Sequence, residues 1–111
     1  MPKPTLAQVF GANATQNATT LTLSKSDLAS VGLTSNATNS AESLLAAIIL
    51  KSKEYLSQAN FDLNIDQSTV VGTGFKSTTV RGDNNIQYLT DQLTLTLAKI
   101  DPLSPLDPDD Y

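Results

Sequence analysis

The chain has neither His nor Cys, so a nucleophilic Ser or Thr would need a Lys or a carboxylate as its base. Ser24-Lys25 and Ser52-Lys53 are adjacent pairs, and consecutive residues on a strand or helix point away from one another. Two carboxylates for acid–base work would come from Asp62, Asp66, Asp83 and Asp91. All four stand where strands are expected to meet turns, the ordinary place for a solvated Asp. Asp62-Leu63-Asn64-Ile65-Asp66 has the alternating oxygens that open a calcium loop, but Gln67 stands where the turn needs Gly and Thr73 where a bidentate Glu is needed. Gly72-Thr73-Gly74 lacks the third glycine of a dinucleotide loop and the Lys-Ser/Thr end of a phosphate loop. These residues point to no enzyme, no cofactor and no metal.

Two recognition patterns remain. Arg81-Gly82-Asp83 matches the integrin tripeptide on an expected hairpin tip, although Gly-Asp is also a common turn dipeptide. Asn-Ala-Thr occurs at Asn13, Asn17 and Asn36 and fits the glycosylation acceptor pattern. The stretch between Lys3 and Ala12-Asn13-Ala14 is broken by Gln8 and Gly11 and makes no convincing signal peptide, so these triplets read as polar loop.

The elements that would carry such residues must fit into 111 residues, enough for one domain. Seven bases are scattered along the chain and offset, against the basic face that phosphate binding requires, so nucleic acid is an unexpected partner. The longest apolar run, Leu44 to Leu50, falls far short of the roughly 20 residues of a membrane span. Four of the eleven acids lie in residues 101–111, so the net charge of −4 belongs to the tail and the body is neutral.

Thr19 to Leu23 alternates with period two and is expected to form a strand. Ser26-Asp27 offers the start of a short turn that Gly32 stops. A helix is predicted over residues 40–59, capped by Asn39 with Glu42 completing a capping box. Ala41, Leu44, Leu45, Ile48, Ile49, Tyr55, Leu56 and Ala59 form its apolar stripe. Phe61, Leu63 and Ile65 alternate with polar residues as a second strand. Val70 to Val80 is a third, marked by Gly72 and Gly74 for a bulge or close contact; Arg81 to Asn85 is its turn. The return strand changes phase between Tyr88 and Leu89, implying a bulge or bend near Thr90-Asp91. Leu21 to Leu23 and Leu93 to Leu97 are candidate sheet mates, with a Thr-rich outer face. The predicted fold class is α+β: one amphipathic helix packed on an antiparallel sheet of about four strands, with extended N- and C-terminal arms. The domain organisation reads as an N-terminal arm over residues 1–18, a domain over 19–100 and a C-terminal arm over 101–111.

The arms carry the candidate partner-binding residues. In the first, Pro2 and Pro4 disfavour helix before Thr5, and Pro4, Leu6, Val9 and Phe10 form an apolar plug. In the second, Pro102, Pro105 and Pro108 recur every three residues, the period of a polyproline II helix. That period places Leu103 and Leu106 on a second edge, and the chain closes on Tyr111.

Thr5 to Ala12, Leu23 to Leu28, Ala41 to Leu45 and Asp107 to Tyr111 together resemble small structural proteins of tailed-phage virions, of the cyanobacterial phage and prophage type. The resemblance implies a non-enzymatic assembly subunit, first a capsid decoration protein and alternatively a neck, tail or baseplate component. It implies protein partners from the same capsid or tail, a possible homo-oligomer, and a location in the virion and, during assembly, the host cytoplasm. A stand-alone binding module using the tip at 81–85 or the Thr-rich face is the alternative of a different class.

Overall fold

The computed structural model describes residues 2–99 and 105–111. It is a mixed helix and sheet fold. Helix α1 (Leu6–Phe10) leads to a small antiparallel ribbon of β1 (Thr15–Gln16) and β2 (Leu21–Thr22), then a 3-10 helix (Lys25–Val31). Helices α2 (Ala41–Tyr55) and α3 (Gln58–Leu63) follow, then β3 (Thr69–Arg81) and β4 (Ile86–Leu97), and a last 3-10 turn at Pro108–Asp110. Among the described residues no helix is long and apolar enough to cross a membrane.

The N-terminal segment is not wholly extended, because Thr5 and Gln8 form a capping box that opens α1: Thr5 Oγ1 accepts from the Gln8 amide and Gln8 Oε1 from the Thr5 amide. The cap of α2 is Ser40 rather than Asn39, its Oγ accepting from the Ser43 amide at 3.0 Å. Asn39 instead closes the preceding loop, accepting from Asn36 and donating to the Thr34 carbonyl. The helix ends at Tyr55, short of the predicted Ala59: Ser57 starts α3 by accepting from the Asn60 amide, and Asn60 donates to the Tyr55 carbonyl at 2.7 Å. Residues 58–63 are therefore helix and not the second strand, leaving Leu63 and Ile65 exposed.

The four-stranded sheet is replaced by two separate pairs. β2 joins its own neighbour β1 and not Leu93 to Leu97, because Asn17 Oδ1 accepts from the Thr19 and Thr20 amides and turns the chain at once. Asn36 does the same for Thr38 at 2.8 Å, so two of the three Asn-Ala-Thr triplets are side-chain-closed turns. The β3–β4 hairpin, by contrast, forms where the sequence places it, with the turn at Gly82 to Asn85. Its register shifts between Thr73 and Lys76. Gly74 and Phe75 together face Gln92, so the bulge is on β3, and the pairing of β4 continues in register through Thr90-Asp91. Gln92 Oε1 accepts from the Phe75 amide, and a Cβ at Gly74 would lie 2.7 Å from that of Gln92.

Among the described residues four apolar side chains are buried: Leu28, Ala47, Leu56 and Val71. Of the predicted stripe on α2, Ile48 and Ile49 are half-buried, whereas Leu45 is exposed. Ser52 is buried among them because its hydroxyl donates to the Ile49 carbonyl at 2.7 Å. Leu56 turns into the core and its carbonyl accepts from the Val71 amide at 2.8 Å, tying α2 to β3. The radius of gyration is 16.6 Å, against about 13 Å for a compact domain of this length.

Candidate functional site

The length of the molecule comes from the hairpin. Six residues of β3 beyond the bulge extend about 20 Å at strand spacing, and every residue from 75 to 91 is exposed except the half-buried Thr90. Cross-strand pairing sorts the side chains. One face carries Lys76 with Asp91, Thr78 with Leu89, and Val80 with Gln87; the other carries Ser77 with Thr90, Thr79 with Tyr88, and Arg81 with Ile86. Val80 and Leu89 are 59% and 65% exposed, and Phe75 at the bulge is 84% exposed. A two-stranded ribbon with apolar groups on both faces is marginal in water on its own. On the second face the Ser77 and Thr90 hydroxyls lie 2.6 Å apart; the Thr-rich face expected from pairing Leu21 to Leu23 with Leu93 to Leu97 does not form, because β2 pairs with β1. At the tip, the Arg81 guanidinium lies 5.2 Å over the Tyr88 ring.

The chain has 8190 Å² of accessible surface. A compact monomer of its mass has about 5,900 Å². The difference, about 2,300 Å², exceeds what one partner gives up in a standard interface, about 800 Å².

A second feature sits at the hairpin base. A cavity of about 470 Å³ lies between the N-terminal segment, α2 and the β3–β4 base, with Ile48, Ile49, Leu56, Val71, Leu93 and Leu95 on its walls. Four predicted partner-binding residues also line it: Pro4, Val9, Phe10 and Tyr111. Leu6 begins α1 half-buried; Pro105, Leu106 and Pro108 are exposed. Pro102 and Leu103 lie outside the described residues. The three-residue proline period does not carry through Pro108, which opens a 3-10 turn because Asp107 Oδ1 accepts from the Asp109 amide. The sequence reading missed the shaft residues Phe75, Val80 and Leu89; the signal available was the absence of Lys, Arg and Pro anywhere in β4.

The end of the chain is latched to the body. Lys99 Nζ donates to Asp110 Oδ2 at 2.8 Å and to the Pro105 carbonyl at 3.2 Å, and it lies 5.8 Å from the centre of the Tyr111 ring. The hydrogen bond to Asp110 raises the Lys99 ammonium above its ordinary pKa, against the smaller opposing effect of burial. A raised pKa in the folded state means the latch contributes fully below the ordinary lysine range and is lost as pH rises through the raised value. Lys99→Gln is expected to abolish amide protection of Asp110 and Tyr111 in hydrogen exchange at neutral pH while leaving that of α2 unchanged. Retained protection would show that the latch does not depend on this charge.

Among the described residues no group of three or more acidic side chains is placed to hold a metal ion. Asp62 instead accepts from Gln58 along α3, and Asn64 is buried with its amide donating to the Pro2 carbonyl. No family model, curated protein or solved structure matches the chain.

Proposed function

We propose that this protein is a non-enzymatic assembly subunit of a virion, first as a capsid decoration protein and second as a neck, tail or baseplate component. The particle class rests on the resemblance of its sequence patches to tailed-phage structural proteins. Its partners are protein subunits of the same particle, and it resides in the virion and, during assembly, in the host cytoplasm. The observation that carries the assembly role is the hairpin shaft over 75–91, with Phe75, Val80 and Leu89 held out in water. Hydrogen exchange tests it. Amides of 75–91 are expected to exchange quickly in the dilute chain and about 100-fold more slowly in the particle with which it co-purifies, because a partner covering the shaft suppresses its local opening. Equal exchange in both states would overturn the role.

One observation favours a stand-alone binding module instead. The tail folds back through Lys99 and Asp110 and sets Tyr111 at the apolar cavity, where it serves its own body. In that reading the cavity receives the ligand, and light scattering shows a monomer at every concentration.

A further inference from the structure

Resting on the assembly reading, we propose that the partner seated on the hairpin is a second copy of this chain, joined β4 to β4 across a two-fold axis. The two edges of the hairpin differ. On β3, the Val71 amide is taken by the Leu56 carbonyl, the bulge at Gly74 and Phe75 interrupts the edge, and Lys76 and Arg81 guard the rest. Bulges and edge lysines are the devices that stop a strand from pairing further. β4 has none of them: from Ile86 to Leu97 it carries one charge, Asp91. Among the described residues β4 forms backbone hydrogen bonds with β3 alone, and none of them pairs with its outer edge.

Charge selects a like partner. Residues 75–91 hold two bases, Lys76 and Arg81, and two acids, Asp83 and Asp91. A neutral surface meets its own copy without repulsion, whereas a partner of opposite charge would find nothing to complement. Pairing β4 with its copy produces a four-stranded antiparallel sheet that a single chain does not have.

Register follows from the same residues. Centring the pair on Asp91 would set two carboxylates side by side, which is unfavourable. Centring it on Leu89 sets Asp91 opposite Gln87 of the second copy, Tyr88 opposite Thr90 and Ile86 opposite Gln92. Leu89 then faces Leu89 of the second copy at a Cα separation of about 5 Å, inside the range a disulfide spans.

Because the chain has no Cys, a single introduced thiol reports this contact cleanly. Sedimentation equilibrium of the full chain is expected to show a dimer, and Leu89→Lys to weaken it at least tenfold with the circular dichroism of the monomer unchanged. Leu89→Cys is expected to give a covalent dimer under mild oxidation, and Thr79→Cys, on the β3 strand, is not. A wild-type chain that stays monomeric, a dimer indifferent to Leu89→Lys, or equal cross-linking at both positions overturns the proposal. Should the chain prove monomeric yet still gain exchange protection over 75–91 in the particle, this inference fails and the assembly role stands.

Discussion

Gly11→Ala is expected to destabilise the isolated chain by about 3 kcal/mol or more, from the cost of left-handed backbone and the strain of overpacking. Gly11 ends α1 with φ at +117°, and its amide donates to the Ala7 carbonyl. A Cβ there would collide with Asp27 Cβ, the root of that side chain, where a rotamer change brings no relief. Asp27 is itself committed. Its two carboxylate oxygens accept from the Asn13 amide and the Asn13 side chain, both at 2.9 Å. One methyl group therefore presses on the point where α1, the β1–β2 ribbon and the first 3-10 helix meet. Domains of this size are stable by only about 5–15 kcal/mol, and among the described residues this one buries just four apolar side chains. A urea titration measures the loss; a midpoint within error of the wild-type value would show that the N-terminal segment is not part of the cooperative unit.

The parts of this fold that are legible in the sequence are those with a local cause. The α2 helix has an apolar stripe long enough to stand out, Gly32 stops the 3-10 helix in the left-handed region, and Arg81 to Asn85 announces the hairpin turn. Gly74 marks the bulge on β3, whereas the change of phase along the return strand reflects no irregularity of β4: Ile86 and Tyr88 lie on one face of it and Leu89, Leu93, Leu95 and Leu97 on the other, with the register unbroken from Ile86 to Asp91. Misreadings arose where a short apolar alternation met a polar anchor. Phe61, Leu63 and Ile65 alternate, but Ser57 caps a helix turn there and Asn60 reaches back to Tyr55. Leu21 to Leu23 likewise has the look of a sheet strand until Asn17 closes the turn before it.

The candidate surface was harder to see for a different reason. Proline spacing and acidic residues point to the termini, and Pro4, Val9, Phe10 and Tyr111 do come together, around a cavity of their own chain. Val80 and Leu89 look like ordinary core residues of a strand in sequence. Nothing local reveals that both are exposed; that depends on how α2 and α3 pack against β3, whose buried and half-buried residues, among those described, lie toward its start.

The assembly role therefore turns on the shaft. Val80→Lys with Leu89→Lys places two ammonium groups on one face at positions that are 59% and 65% exposed. The fold loses little, since strand propensity spans only about 1 kcal/mol over all residue types. A partner seated on that face would meet two buried charges, each costing several kcal/mol, enough to reduce occupancy more than a hundredfold. The most direct measurement is gradient sedimentation after co-expression with the products of the neighbouring genes. The wild-type chain should travel with the particle and the double-lysine chain, folded by circular dichroism, should remain at the top. Co-sedimentation of the double-lysine chain at the wild-type level would contradict the account.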